Sequence, residues 1–252
     1  MPKDFYLSIV IPAYKEEGRI HKILEAISNF QKLKDFSIET IVVVDGSPDN
    51  TAEAARKFED RISNLNVVDR KENLGKGYTV KQGMLEAKGK YILFSDADNS
   101  TPIEQVDKLL EFVQKYQVVI GSRYTKGGKL TRPQSFVRKL GGRVLNFFIR
   151  TLAVSGIYDT QCGFKLFENK AAKEIFSQMT FDRFSFDIEI LAIARRLGYK
   201  IKEVGITWYD DPHSTVNPIK DGLKMIRDAW RVNQNLRTKK YTRLDEIKYK
   251  TR

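Results

Sequence analysis

The chain has 252 residues, enough for one large domain with a substantial core and too few for two. Hydrophobic residues make up 41% and charged residues 30%, as in a soluble globular protein, and the longest uncharged stretch, Phe5–Tyr14, is well short of the roughly 20 residues that cross a bilayer. The net charge of +12 points to a partner rich in phosphate, whether nucleic acid, nucleotide or anionic lipid.

The N-terminus lacks the charged-then-apolar layout of a secretory signal, and the single Cys162 has no partner for an internal disulfide, so a cytoplasmic location is expected. In chain order, residues 7–14 are predicted as a buried strand, 18–30 as a helix on apolar spacings of three and four, and 38–47 as a second buried strand. A helix over 48–60, a short strand over 66–70 and a helix over 77–89 ending at Gly89 follow. Then come a strand over 90–98, a helix over 101–116 with Pro102 in its opening turn, and a strand over 117–124. This alternation predicts a doubly wound α/β sheet, mostly parallel, with its ligand beyond the carboxyl ends of the strands.

From Gly127 the rhythm changes. Residues 127–136 read as a turn-rich crossing, 137–154 as a basic amphipathic helix and 159–167 as extended chain. Helices over 169–179 and 186–198, a strand over 199–208 and a helix over 219–236 complete the chain. With no internal repeat, one domain over 1–236 is expected, with a first half at about 1–121 and a second half, of changed rhythm, at 122–236. Residues 237–252 form a basic tail with seven Lys/Arg against two Asp/Glu, either a solvated tail or a patch for lipid headgroups.

Polar residues recur where strands end: Tyr14 and Glu16 after the first, Asp45 after the second, Asp96 and Asp98 after the fourth. Asp96 and Asp98 straddle the small Ala97, a spacing that serves either one hard divalent cation or a surface turn. Asp45 reads either as an acceptor for a nucleobase edge or as a turn residue before Gly46. The glycines around Lys76 suit close backbone approach to a ligand but lack the spacing of a phosphate loop, and no dinucleotide fingerprint follows the first strand. A nucleic-acid partner would meet repulsion from carboxylates gathered at the strand ends, so none is expected. Asp187 and Glu189, two apart on a helix, face different ways, and a structural ion pair is the alternative for each. His21 and His213 lack metal-ligand spacing, so no zinc is assigned, and Cys162 reads as a small packed residue.

Together the stretches SIVIPAYKEEGRI, IVVVDGSPDNT, ENLGKGYTVKQGM, FSDADNS, GSRY, DTQCGFKLF and RFSFDIEILAIARRLGYKIKEVGITW resemble family 2 inverting glycosyltransferases of the GT-A fold over roughly residues 6–230. Within that family DTQCGFKLF and FSFDIEIL resemble the dolichyl-phosphate β-glucosyltransferases more than the mannosyl relatives. The resemblance implies transfer of a hexose, glucose from UDP-glucose, onto dolichyl or another polyprenyl phosphate, with the nucleotide-sugar-binding half at about 1–121 and the acceptor half at 122–236. A GDP-mannose donor or a non-lipid acceptor stays open.

The same resemblance implies nucleotide-sugar contacts from Pro12, Tyr14, Glu16, Asp45, Lys76, Asp96, Ala97 and Asp98, with Mg²⁺ or Mn²⁺ held by Asp96 and Asp98. It assigns catalysis to Asp98, Arg123, Arg138 and Asp159, and the acceptor phosphate to Arg123, Arg138, His213 and Ser214. Two departures stand out: Val44 replaces the first Asp of a usual pair, and His213, Ser214 and Thr215 stand where relatives often carry a Gly-Ser-Lys, leaving His213 or Lys220 as substitutes for the lysine. A lipid acceptor without a spanning helix implies peripheral attachment to the cytosolic face of a membrane. Phe136, Leu140, Val144, Phe147 and Phe148 on one face, with Lys139, Arg143 and Arg150 on another, give 136–154 either that role or ordinary core packing.

Overall fold

The computed structural model describes residues 4–130, 154–183, 185–209, 218–238 and 240–242, with the backbone alone at 130 and 218–226. The expected helix over 137–154, most of the 127–136 crossing and the end of the basic tail lie outside the described residues. So do Arg138, His213, Ser214, Thr215 and the side chain of Lys220.

Seven strands form one sheet in the order β3-β2-β1-β4-β7-β5-β8. They are β1 (Leu7–Ala13), β2 (Ile38–Val44), β3 (Leu65–Asp69), β4 (Tyr91–Ser95), β5 (Val118–Ser122), β7 (Phe164–Glu168) and β8 (Ile201–Gly205). β6 (Lys129–Leu130) and β9 (Thr207–Trp208) pair separately. Helices α1 (Ile20–Lys32), α2 (Thr51–Arg56), α3 (Lys76–Glu86), α4 (Val106–Leu110), α5 (Asn169–Gln178), α6 (Phe186–Arg196) and α7 (Pro218–Arg237) cover both faces. None among the described residues is long and apolar enough to cross a membrane.

The alternation of side chains along β1 and β4 divides the core. Leu7, Ile9, Ile11, Tyr91 and Leu93 pack with the Ile20, Ile23, Leu24 and Ile27 stripe of α1, whereas Val10, Ile92 and Phe94 pack with α3, α5 and α6. Phe94 meets Phe186 edge-on at 5.7 Å, tying β4 to α6.

β7 departs from the expected parallel pattern. It runs antiparallel to both β4 and β5, with Ser95 opposite Phe164 and Ile120 opposite Lys165. An antiparallel strand delivers its amino end where parallel neighbours deliver their carboxyl ends, so residues 159–163 arrive beside Asp96 and Arg123. Two helices are shorter than expected. After α4 the chain keeps coiling through i→i−3 bonds such as Phe112 to Leu109, and after α2 through Phe58 to Ala55, so neither continues as α-helix. The strand over 199–208 is split at Ile206, whose N–H bonds to Ser122 of β5 and whose carbonyl accepts from Lys129 at β6. Beyond α7, Tyr241 is buried, its hydroxyl donating to Glu189 at 2.8 Å and accepting from Asn235 at 3.0 Å, so packing reaches into the segment read as tail.

Candidate active site

The loops after β1 and β2 are stitched together by backbone donors. Lys15 N–H reaches Ser47 Oγ at 2.8 Å, and Glu16 N–H reaches Thr51 Oγ1 at 2.9 Å. Pro12 lies beyond the last β1–β4 pair, Val10 with Phe94, where β1 is paired on one side only. Tyr14 is exposed at this edge. Glu16 is buried and ion-paired to Arg19; burial pushes its carboxyl up, Arg19 pulls it back, and Asp98 and Asp96 push it further.

Asp45 is buried at the carboxyl end of β2 and turned toward its own chain. Its Oδ1 accepts from Leu74 N–H at 2.9 Å and from Arg70, and its Oδ2 from Gly75 N–H at 2.9 Å. The carboxylate thus fixes the loop that leads into α3. Gly75, at φ +99°, and Gly77 have a use that the sequence did not reveal: a Cβ on either would strike the backbone of residues 181–183. Their close approach is to this chain.

Asp96 and Asp98 follow β4, flanking buried Ala97. Lys76 Nζ, from the first turn of α3, stands 2.7 Å from Asp96 Oδ1. Burial pulls the Lys76 ammonium down, but Asp96 and Asp187 outweigh it and leave the group raised. Asp98 Oδ1 accepts Ser100 N–H at 2.9 Å, and burial and then Asp96 push the Asp98 carboxyl above the usual range. Gly163 makes room here: a Cβ at that position would overlap the Asp96 carboxylate. Beneath lies Lys165, whose side chain is 0% exposed; its Nζ donates to Cys162 O at 2.5 Å and to Asp187. Glu189 accepts from the N–H groups of Thr180 and Phe181, both at 2.8 Å. Asp187 and Glu189 are therefore structural partners, although Asp187 also contributes to the field at Lys76.

Across β7, Arg123 follows β5 and is held by Asp159, which is 2% exposed, through Nε at 2.8 Å and Nη2 at 2.7 Å. Glu203 of β8 fixes the Asp159 backbone N–H at 2.9 Å, and the guanidinium lies 5.2 Å from the Trp208 ring. Burial works against the charge of Arg123, but Asp159 outweighs it and raises the group. Cys162 is buried and its thiol is pushed up to about 12 by burial and Asp159, so it is no nucleophile at neutral pH.

Residues 8–176 match the family model for Glycosyl transferase family 2. The chain belongs to glycosyl transferase family 2. Its curated family 2 relatives include the dolichyl-phosphate beta-glucosyltransferases of Dictyostelium discoideum (35% identical over 242 residues, 91% of this chain and 74% of the relative) and Homo sapiens (33% over 253 residues, 90% and 78%). That of Saccharomyces cerevisiae is 33% identical over 245 residues, covering 90% of this chain and 73% of the relative. Among solved structures, mannosyl-3-phosphoglycerate synthase of Rubrobacter xylanophilus has a TM-score of 0.70 at 16% identity, with 95% of this chain and 77% of that one covered. Glucosyl-3-phosphoglycerate synthase of Mycobacterium tuberculosis, solved with Mn²⁺, UDP and glucosyl-3-phosphoglycerate, has a TM-score of 0.65 at 21% identity, with 92% and 80% covered. The fold is GT-A, as the motifs implied.

For this family 2 chain the structure brings Glu16, Lys76, Asp96, Ala97 and Asp98 into one charged cluster, sets Arg123 with Asp159 on the other side of β7, and leaves Asp45 and Tyr14 at the β1–β2 end of the edge. Sequence reasoning missed Gly163, Lys165, Arg70 and Arg19. A lysine inside the apolar run Phe164–Phe167 was the available signal, since a charge within a buried strand requires a buried counter-charge. The donors on offer are hard carboxylate oxygens, and no group of three His, Cys, Asp or Glu among the described residues is placed to hold a metal ion by itself. That set fits Mg²⁺ or Mn²⁺ completed by substrate phosphates and does not fit zinc.

Proposed function

We propose that this chain is an inverting hexosyltransferase that moves glucose from UDP-glucose onto the phosphate of dolichol or another polyprenol. The observation that carries the reading is the pairing, across one strand, of an acidic site at Asp96 and Asp98 with a preorganised cation at Arg123. The curated relatives named dolichyl-phosphate beta-glucosyltransferase support the choice of sugar and acceptor. Asp98, assisted by Asp96, would hold Mg²⁺ or Mn²⁺, which when bound neutralises the diphosphate as a Lewis acid.

The chain's own residues supply orientation and charge. An acceptor phosphate is already anionic at neutral pH, so no strong base is needed, and the task is to hold it beside an anionic donor. Asp159 occupies Nε and Nη2 of Arg123, which locks the guanidinium and leaves its Nη1 edge for a phosphate oxygen. Lys76 adds a second cation on the donor side, and Pro12, Tyr14, Glu16 and the Asp45 loop clasp the base and ribose. Arg138, His213 and Ser214 complete the acceptor side in this reading, which also puts the enzyme peripherally on the cytosolic face of a membrane.

Calorimetry with UDP and with GDP, each with Mn²⁺ and with chelator, tests the donor half. Metal-dependent binding of UDP, lost in Asp98→Asn, is expected; preference for GDP overturns the donor, and indifference to chelator overturns the metal site. Arg123→Ala should lower turnover while donor affinity holds, and an equal loss in both would make Arg123 a donor anchor.

A further inference from the structure

Buried side-chain atoms without a hydrogen bond gather at one edge of this protein. Among the described residues Thr40 Oγ1, mid-strand in β2, is the exception; the rest follow strand ends or precede β7. Asn99 Oδ1, Thr125 Oγ1, Thr160 Oγ1 and Gln161 Nε2 belong to this group. Unpaired buried polar atoms are costly and correspondingly rare, so their concentration requires a reason.

The topology locates them together. Asn99 directly follows Asp98 at the end of β4, Thr125 lies two residues past Arg123 after β5, and Thr160 and Gln161 occupy the turn into β7 between those strands. That turn is held at both ends: Asp159 grips Arg123, and Gly163 accepts Asp96 N–H at 3.0 Å. Asn99 sits at φ +55°, a left-handed backbone conformation uncommon outside glycine and met most often where a site needs it. Thr160 and Gln161 therefore stand between the acidic site and the arginine, and Asn99 and Thr125 follow the strand ends on either side of them.

We infer that Asn99, Thr125, Thr160 and Gln161 form the pocket that reads the hydroxyls of the donor's hexose. The inference rests on the donor reading above: if diphosphate binds at Asp96 and Asp98 and acceptor phosphate at Arg123, the sugar occupies the space between. A hydroxyl both donates and accepts, and the four groups offer an amide donor, an amide acceptor and two hydroxyls. A site that pairs each sugar hydroxyl rejects an epimer, because a misplaced hydroxyl leaves buried protein groups unpaired again. Tyr14 follows β1, next to β4 on the side away from β7, and Asp45 lies one strand further, so both meet other parts of the nucleotide.

Thr160→Val and Gln161→Met, close in shape to the residues they replace, test this. Since Thr160 Oγ1 and Gln161 Nε2 make no hydrogen bond in the free protein, both variants should melt at or above the wild-type temperature and bind UDP with Mn²⁺ as wild type does. Wild type should bind UDP-glucose at least about ten-fold more tightly than UDP-galactose, and each variant should erase about ten-fold of that preference, equivalent to about 1.4 kcal/mol. Variants that keep the wild-type preference overturn the inference, as do variants that lose melting temperature and UDP affinity together. A wild type that binds no uridine nucleotide overturns the donor reading itself, whatever the variants do.

Discussion

Gly163→Ala isolates the packing that holds Asp96 in place. Gly163 is not among the positive-φ glycines, so alanine suits its backbone and the perturbation is purely steric. A Cβ there would meet Asp96 Oδ1 at 2.7 Å and the rest of the carboxylate closer still, inside the 3.0 Å that real Cβ contacts keep. The carboxylate must withdraw by about 1 Å or more, which disturbs its 2.7 Å ion pair with Lys76, and a misplacement of that size costs on the order of 10²-fold in rate. Overpacking of this kind costs about 1–3 kcal/mol in stability. Denaturant melts and Mn²⁺-dependent UDP titrations of Gly163→Ala, Asp96→Ala and the double variant form a cycle. In the Asp96→Ala background the added methyl meets no carboxylate, so its stability cost should fall by at least about 1 kcal/mol. Equal costs in both backgrounds, or wild-type UDP binding in Gly163→Ala, would refute the reasoning.

Lys165→Met strands the Asp187 carboxylate inside the core, at a cost of about 3–5 kcal/mol at neutral pH. Asp187 is already raised by burial above its ordinary 3.8 and loses its main counter-charge, so the variant's deficit should grow as pH rises through that raised value and shrink as pH falls toward 3.8; a deficit independent of pH, read from urea melts at several pH values, would contradict this. Tyr241→Phe removes the hydroxyl that donates to Glu189 and should cost about 1–3 kcal/mol in the same melts, whereas no measurable loss would mean that the segment after α7 does not secure the domain. Vesicle sedimentation should show binding that rises with anionic lipid and falls with salt, because surface charge is screened over about 8 Å at physiological ionic strength; salt-insensitive binding, or none, counts against peripheral attachment.

The parallel half of the sheet was legible because β1, β2 and β4 are apolar runs that end in turn chemistry, and a parallel strand needs both. The carboxylates at those ends were legible for the same reason: parallel strands share an edge, so Asp45, Asp96 and Asp98 had to converge. β7 was legible as extended chain but not as an antiparallel insertion, since Phe164–Glu168 carries no mark of strand direction. Gly75 and Gly77 read as ligand-facing because the residues they accommodate, 181–183, lie a hundred positions later. Gly163 and Lys165 serve neighbours that only the folded sheet supplies, Asp96 on β4 and Asp187 on α6. The short i→i−3 coils after α2 and α4 keep a helical apolar spacing, so periodicity alone extended those helices.

Transfer of label from UDP-[¹⁴C]glucose into an organic-extractable lipid, with dolichyl phosphate in anionic vesicles and Mn²⁺ present, tests the proposed glucosyl transfer itself. Labelled dolichyl phosphate glucose is expected, dependent on the metal, absent with Asp98→Asn and strongly reduced with Arg123→Ala. Label transferred only to a water-soluble acceptor, or lipid labelled from GDP-mannose and not from UDP-glucose, would rule that transfer out.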